Sequence, residues 1–327
     1  MKTSPASLNQ IYGPIEGELK EVSDLFKREL ISKDALINDV CEHLIKMTGK
    51  FLRPALCLLS SRASGRPNRD AVKLSTAIEL IHTATLIHDD IIDDSSLRRN
   101  LPSIYFKWGR EISIVSGDYI YAKSFLLLAG LKNVWVNEYF AACAHAMCEG
   151  EMTQIEKRSN YVMPEEDYLK IIHKKTAILF QAACMGGAYL GGADIESVKR
   201  IGEYGLKLGL AFQIVDDCLD LVGETETLGK TVGLDISKSD VTLPILYLFQ
   251  ELSETERQGL LAGMKAKEEG LFLEIQRLAA SKKSVERAME KARSFGEEAL
   301  NGLDRLKDSV SKDSLSDLVY YCLDRTK

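Results

Sequence analysis

The sequence predicts an all-helical protein, and three observations support this prediction. Apolar residues recur at spacings of three and four through most of the chain, whereas the strict alternation of a half-buried strand is rare. Proline is scarce, with 7 in 327 residues, so long helices are possible. No segment rich in Ser, Gly and Pro divides the chain. We therefore expect a single domain over residues 1–327.

Local signals mark several of the expected helix ends. Gly49 suits the end of one helix, and Gly65-Arg66-Pro67 is typical of a break. Pro164 precedes two glutamates, as at the start of a helix, and Asp194 is a candidate N-cap. The periodicity places helices near 15–30, 34–47, 51–63, 70–94, 110–131, 134–158, 165–190, 194–222, 241–251, 254–267, 269–280, 283–306 and 311–324. Those at 70–94 and 194–222 are apolar on most faces, which predicts central positions.

The composition is that of a soluble globular protein. Apolar residues make up 45% and the net charge is −6, so attraction to nucleic acid or anionic lipid is not expected. No apolar run approaches about 20 residues, and the first residues lack a signal-peptide segment. The seven cysteines form no CxxC pair and are expected to be reduced. We therefore expect a cytoplasmic protein.

Two apolar helices each carry an Asp-Asp-x-x-Asp motif near the C-terminal end. The aspartates are Asp89, Asp90 and Asp93 in the first helix, and Asp216, Asp217 and Asp220 in the second. Residues four apart share a helix face, so the first and last aspartate of each motif point the same way.

These clusters have two interpretations. Acidic runs usually form solvated helix faces, and one such motif would be weak support for a site. However, like charges four residues apart repel one another, and carboxylates among Ile and Leu are costly to bury without a cation. Two copies in such settings favour a magnesium site, because Mg²⁺ prefers oxygen ligands and also accepts substrate phosphates.

Basic residues occur close to both clusters in the sequence. Any one of them alone would be interpreted as a surface residue. Together with the aspartates they predict a diphosphate ligand bridged by metal, because Arg and Lys bind phosphate oxygens. The candidates are Lys50, Arg53, Arg98, Arg99, Lys174, Lys175 and Lys230.

The sequence resembles the trans-isoprenyl diphosphate synthase family, also called polyprenyl synthetases, over nearly its whole length. The matching segments are GKFLRP at 49–54, HTATLIHDDIIDDSSLRR at 82–99, GDY at 117–119, GEMTQ at 150–154, KTA at 175–177, FQIVDDCLD at 212–220, GKTVGLD at 229–235 and TLP at 242–244. The resemblance implies an antiparallel helical barrel around a deep cavity, usually in a homodimer. It also implies three Mg²⁺ ions, held by Asp89, Asp90, Asp93 and Asp216 with support from Asp217 and Asp220.

The resemblance further implies two substrates, isopentenyl diphosphate and an allylic diphosphate such as farnesyl or geranyl diphosphate. Arg98, Lys175, the adjoining Thr176 and Lys230 match the allylic site. Lys50, Arg53, His82 and Arg99 match the isopentenyl site, and Phe212 and Gln213 match the pair beside the reacting chains. Without the resemblance, His82 would be interpreted as a core histidine and Phe212 as core packing.

One departure from the family pattern lies in the segment after the second cluster, and a separate feature concerns the product length. Asp240 stands where many relatives have lysine, and Lys238 is a candidate substitute. Ala84 and Thr85, one turn before Asp89, are small where bulky aromatics limit short products. This implies a medium- or long-chain product, such as octaprenyl diphosphate. Ala77 and Ile81 lie further up that face, and candidates for the cavity floor are Phe125, Leu128 and Phe140.

Three alternatives remain at this stage. One is a shorter-chain farnesyl or geranylgeranyl diphosphate synthase, and another is a non-catalytic subunit of a heteromeric synthase. The third is a terpene cyclase, which the second Asp-Asp-x-x-Asp motif and the Lys50 and Arg53 site disfavour. A long polyprenyl product would also imply transient contact with a membrane during its release.

Overall fold

The computed structural model describes residues 6–65, 68–223, 233–266, 268 and 270–325, and most of them are helical. The predicted all-helical class is confirmed. The elements in chain order are α1 (Leu8–Tyr12), α2 (Glu16–Leu30), α3 (Ala35–Lys46), α4 (Leu52–Ser64), α5 (Arg69–Ile92), β1 (Leu97–Arg98), β2 (Leu101–Pro102), α6 (Ile104–Gly130), α7 (Val134–Glu156), α8 (Glu165–Ile172), a π-helical turn (His173–Ala177), α9 (Ile178–Leu190), α10 (Ile195–Val222), α11 (Leu234–Ser237), α12 (Leu243–Glu251), α13 (Glu254–Ala266), α14 (Leu271–Ser281), α15 (Ser284–Gly302) and α16 (Val310–Asp324).

Helices α5 and α10 occupy central positions, as their apolar faces predicted. α5 packs on α4 and α6, and α10 packs on α9 and α15. Both helices are largely buried over most of their length. Each carries one aspartate cluster in its last turns, and the predicted cap of α10 is confirmed because Asp194 accepts a hydrogen bond from the Ser197 amide at 2.8 Å.

Three local features differ from the expected helices. α6 begins at Ile104, where the Ser103 hydroxyl accepts a hydrogen bond from the Phe106 amide. Gly109, with φ of 81°, kinks this helix and explains why the periodicity was clear only from residue 110. The short hairpin β1–β2 is too brief for an alternating pattern. The helix predicted over 165–190 contains the π-helical turn at 173–177.

α6 also differs from expectation in its hydropathy. By length and composition it could cross a membrane, with a mean hydropathy of 1.3 over an 18-residue window, whereas no such run was expected. Apolar helices of soluble proteins meet the same criterion. Only 28% of this window is buried, and Val115 and Leu126 are 65% and 69% exposed. α6 therefore has an apolar face that no other described part of the chain covers.

Helices α4 and α9 cross at very short distance. A Cβ added at Gly187 of α9 would lie 2.1 Å from the carbonyl oxygen of Cys57 in α4. One turn later, a Cβ at Gly191 would lie 2.4 Å from the carbonyl oxygen of Ser61. Because the opposing atoms belong to the backbone, neither helix could adapt by a side-chain rotation.

We expect Gly187→Ala to destabilise the protein by about 1–3 kcal/mol or more, because the added methyl forces α4 and α9 apart. Thermal unfolding monitored by circular dichroism measures this. The matched control is Gly259→Ala in α13, where an added Cβ meets nothing within 4 Å and the higher helix propensity of alanine should leave stability equal or slightly raised. Equal unfolding temperatures for the two variants would contradict the close helix crossing.

Candidate active site

A cavity of about 860 Å³ lies between the central helices. Its walls come from α5, α6, α7, the π-helical turn, α10 and the segment at 235–238. Asp89 and Asp93 of α5 and Asp216 and Asp220 of α10 all line it. The structure therefore brings the two predicted clusters to one space, although they are more than 120 residues apart in sequence.

The three aspartates of the first cluster do not all face the cavity: Asp89 and Asp93 line it, whereas Asp90 does not. Burial raises the pKa of Asp89 to about 6; Lys175 opposes this shift, and Glu151 and Asp93 add to it. Asp90 does not line the large cavity. Its buried carboxylate accepts a hydrogen bond from Arg98 Nε at 3.0 Å. One residue corresponds to about 100° of rotation on a helix, so Asp90 cannot share the face of Asp89 and Asp93. The structure therefore does not bring Asp90 together with Asp89 and Asp93, and its role as a metal ligand stays a prediction.

In the second cluster, Asp217 is a supporting residue. Tyr168 donates a hydrogen bond to its Oδ2 at 2.6 Å, and Gln213 Nε2 donates to its Oδ1 at 2.8 Å. Burial raises the pKa of Asp217 to about 7, while these two hydrogen bonds oppose the shift. Thr176 in turn donates to Gln213 Oε1 at 2.7 Å. Asp217 thus fixes the orientation of Gln213 at the cavity wall.

The predicted basic residues of the allylic site are placed as follows. Lys175 and Arg98 both line the cavity. Lys175 Nζ lies 2.5 Å from Glu151 Oε2; burial lowers its pKa, but Asp89 and Glu151 together raise it above the ordinary value. Lys174 lies outside the cavity wall and pairs with Glu149 at 2.9 Å. Lys230 lies outside the described residues.

The predicted isopentenyl site is a group of basic side chains, of which Arg53 and His82 are partly buried and Lys50 and Arg99 are exposed. Arg53 and His82 line the cavity. Burial lowers the pKa of Arg53 to about 10, and burial together with Arg53 lowers the pKa of His82 well below its ordinary value. Arg99 donates a hydrogen bond to the Met47 carbonyl and lies against Gly49, where a Cβ would come within 2.3 Å of its guanidinium. Lys50 Nζ donates to the Tyr321 hydroxyl at 3.0 Å.

Three residues that the sequence patterns did not single out, Glu79, Arg325 and Tyr121, complete these groups together with Lys238, which was the candidate substitute for a lysine at position 240. Glu79 is buried near Arg53 and Arg99, whose charges oppose the effect of burial on its pKa. Lys238 Nζ lies 2.9 Å from Asp93 Oδ1. Arg325 Nη2 lies 3.2 Å from Asp216 Oδ1, and its guanidinium stacks 3.9 Å above the centre of the Phe212 ring. Tyr121 lines the cavity. None is close in sequence to its partner, so no local signal could have identified the contacts.

Most of the expected chain-length residues are not on the cavity wall. Thr85 lines the cavity, but Ala84 is fully buried in a core cluster with Phe26 and Ile120, again because one residue rotates the side chain by about 100°. Phe125 packs behind Tyr121, with the ring centres 5.5 Å apart. The other residues suggested for this surface belong to the buried core: Ala77, Ile81, Leu128 and Phe140. The structure does not place these residues on the cavity wall, and their influence on chain length stays a prediction.

The donor set fits a hard divalent cation. Asp89, Asp93, Asp216 and Asp220 present carboxylate oxygens from opposite walls. Within the described ranges, no three His, Cys, Asp or Glu side chains are grouped closely enough to enclose a metal ion alone. Carboxylates in opposing pairs leave coordination positions for water and for the oxygens of a phosphorylated ligand.

Comparison with known proteins identifies the family. The polyprenyl synthetase family model matches residues 34–277. The chain is 36% identical, over 87% of its length and 89% of the relative, to a short chain isoprenyl diphosphate synthase of Methanothermobacter thermautotrophicus. It is 33% identical, over 96% of its length and 97% of the relative, to an all-trans-nonaprenyl-diphosphate synthase of Rhodobacter capsulatus.

Solved structures agree with this assignment. A polyprenyl synthase from Caulobacter crescentus, complexed with calcium and isoprenyl diphosphate, superimposes with a TM-score of 0.95 at 31% identity over 99% of both chains. The chain therefore belongs to the polyprenyl synthetase family, and it is a prenyltransferase with the isoprenoid synthase fold.

The raised pKa of Asp89 predicts how the stability of the metal-free protein depends on pH. Because its folded pKa of about 6 exceeds the ordinary 3.8, the charged carboxylate destabilises the fold above pH 6, and this effect disappears as the pH falls below 3.8. Asp89→Asn should raise the unfolding temperature by a few degrees at about pH 7.5, which corresponds to roughly 2 kcal/mol, and should have little effect near pH 4.

The exposed Asp304→Asn serves as the control and should change the unfolding temperature little at either pH. An Asp89→Asn stabilisation that is equal at both pH values would exclude the charge of this carboxylate as its cause. All samples would contain a chelator, so that bound metal does not contribute.

Proposed function

We propose that the protein uses Mg²⁺ to condense isopentenyl diphosphate with an allylic diphosphate and so extends an all-trans polyprenyl chain. The observation that carries this proposal is the single cavity lined by four aspartates from opposite helices together with Arg53, Arg98 and Lys175. Two groups of basic side chains beside one set of metal-type ligands match a reaction between two diphosphates.

The allylic diphosphate would lie between the aspartate pairs. Asp89, Asp93, Asp216 and Asp220 would hold about three Mg²⁺ ions, which neutralise charge on the leaving diphosphate when bound. Lys175 and Arg98 add fixed positive charge to the wall of the same cavity. Since the negative charge of the leaving group grows as the carbon–oxygen bond breaks, these cations stabilise the transition state more than the ground state.

The second diphosphate would bind to Lys50, Arg53, Arg99 and His82. These side chains hold the isopentenyl group in position, which accelerates the reaction by orientation. Its double bond attacks the allylic carbon, a carbon–carbon bond forms, and the released diphosphate accepts the proton that is lost. The ring of Phe212 and the apolar side chains of Met147 and Leu179 line the same cavity and exclude water from the allylic cation.

We infer a medium- or long-chain product. The small side chain of Thr85 leaves the wall above Asp89 open, and Tyr121 of α6 lines the same cavity. The relatives carry names that range from short chain to nonaprenyl synthases, so a shorter product is the alternative. Tyr121 and Thr85 together would set the length because they stand on neighbouring helices, α6 and α5.

We also infer a cytoplasmic homodimer. α6 exposes Val115 and Leu126, which are eleven residues apart and therefore lie on one helix face, and α7 begins with the exposed Val134. Exposed apolar side chains of this kind favour burial against a partner. A second copy of the chain that packs on the same face would cover these apolar side chains, so contact with lipid would not be needed.

A second candidate is a subunit of a heteromeric synthase. One relative, 34% identical over 96% of this chain and 98% of its own length, is heptaprenyl diphosphate synthase component 2 of Geobacillus stearothermophilus. The presence of both aspartate pairs in one cavity favours a catalytic subunit rather than a non-catalytic one, because a non-catalytic subunit has no need for metal ligands.

The proposal is tested by incubating the purified protein with farnesyl diphosphate, labelled isopentenyl diphosphate and Mg²⁺. We expect metal-dependent incorporation, and Asp89→Ala and Asp216→Ala should each reduce it by about a hundredfold or more. Asp304→Ala should retain full activity. Near-normal turnover of either active-site variant would contradict the aspartate assignment, and no incorporation by the wild type with any allylic primer would favour the non-catalytic subunit.

The size of the extracted products tests the chain-length inference. Thr85→Phe places an aromatic ring on the cavity wall and should shorten the longest product. Ala84→Phe is the comparison, because its side chain lies in the core cluster beside Phe26; it should lower the unfolding temperature instead. An unchanged product distribution for a folded, active Thr85→Phe enzyme would rule out this wall as the limit.

A further inference from the structure

A side chamber of about 100 Å³ adjoins the large cavity. Thr176 and Gln213 line both spaces, whereas Tyr168 and Asp217 line the chamber but not the large cavity. The chamber wall also carries charged side chains such as Lys157, and a polar space of this size can hold water molecules. Thr176 and Gln213 therefore form part of the partition between a space suited to water and the large cavity.

A chain of three hydrogen bonds holds this partition together. Tyr168 donates to Asp217 Oδ2 at 2.6 Å, and Gln213 Nε2 donates to Asp217 Oδ1 at 2.8 Å. The Thr176 hydroxyl donates to Gln213 Oε1 at 2.7 Å. An ionised carboxylate only accepts hydrogen bonds, so the amide of Gln213 must turn its NH₂ group to Asp217 and its oxygen to Thr176. Tyr168 fixes the orientation of the carboxylate and thereby that of the whole chain of bonds.

The contact between Thr176 and Gln213 adjoins the apolar part of the large cavity. Leu179, one turn after Thr176, and Phe212, next to Gln213, line that cavity but not the chamber. The other residues that line both spaces are charged: Lys175, Asp216 and Asp235. An opening between Thr176 and Gln213 would therefore admit water beside the apolar side chains, where the allylic cation would form.

We propose that Tyr168 is a positioning residue whose hydrogen bond to Asp217 keeps water away from the allylic cation. This inference rests on the proposed function. Without the bond the carboxylate is free to rotate, the amide of Gln213 loses its fixed direction, and its contact with Thr176 opens.

Water from the chamber then reacts in place of the isopentenyl double bond. Its oxygen forms a new bond to the allylic carbon, the diphosphate leaves with the electrons of the old carbon–oxygen bond, and the released diphosphate takes the proton that the water loses. The products are an allylic alcohol and diphosphate. Tyr168 thus determines how much allylic substrate is lost to hydrolysis.

The experiment measures two competing products of one reaction. The purified enzyme receives labelled farnesyl diphosphate, isopentenyl diphosphate and Mg²⁺, and both the alcohol farnesol and the polyprenyl products are quantified. Tyr168→Phe should raise the ratio of farnesol to polyprenyl product about tenfold, because one buried hydrogen bond is lost. KM for isopentenyl diphosphate should stay unchanged, because none of the side chains proposed to bind it is altered.

The matched control is Tyr247→Phe. Tyr247 is another buried tyrosine that donates to a carboxylate, Glu165 Oε2 at 2.8 Å, and it lines neither space. Its substitution should lower the unfolding temperature as Tyr168→Phe does, but should leave the product ratio at the wild-type value. An unchanged ratio in Tyr168→Phe, or an equal rise in both variants, would overturn the proposal.

A double-mutant cycle identifies the residue through which Tyr168 acts. Thr176→Val removes the hydroxyl and should itself raise the farnesol ratio, and the addition of Tyr168→Phe should then change the ratio little further. Independent effects of the two substitutions would refute the chain of bonds. If Tyr168→Phe does not fold, an unchanged ratio in Thr176→Val alone contradicts the proposal. A wild type that makes no polyprenyl product would contradict the proposed function instead.

Discussion

Repulsion among carboxylates that are wholly or partly buried is the constraint on which the site depends. Asp89, Asp93, Asp216 and Asp220 line one cavity between α5 and α10, and burial raises the pKa of Asp89. A fold that gathers negative charge in this way requires cations nearby. In the metal-free protein, side chains from distant segments meet this need: Lys238 contacts Asp93, and Arg325 contacts Asp216. Once metal and diphosphate are bound, the attraction between these carboxylates and the metal ions stabilises the complex.

Much of the fold and the central site could be predicted from the sequence. The apolar periodicity located α5 and α10, and the four-residue spacing correctly paired Asp89 with Asp93 and Asp216 with Asp220, because both depend only on helix geometry. Two of the predicted residues, Asp90 and Ala84, lie off the cavity wall for the same geometric reason. Each lies one residue from a cavity-facing position, and a rotation of about 100° directs one toward Arg98 and the other into the core.

The remaining contacts depend on tertiary packing and have no local signal. Glu79 lies near Arg53 and Arg99, and Tyr321 of α16 contacts Lys50 from a position 271 residues later in the chain. Such pairs are determined only when α16 packs on α4. The aromatic ring of Tyr121 likewise reaches the cavity because α6 packs along α5. A single sequence identifies which helices form, but not which side chains meet across them.

The π-helical turn between α8 and α9 lets the two ends of one long helical segment face different neighbours. Lys175 and Thr176 must both face the cavity, while Gly187 and Gly191, further along, must face the backbone of α4. A regular helix would link these two orientations through its fixed rotation per residue, whereas the wider turn inserts a phase shift between them. Removal of one residue from 173–177 would therefore keep the helix intact and misdirect either its catalytic end or its packing end. The bulge allows each end to be optimised separately.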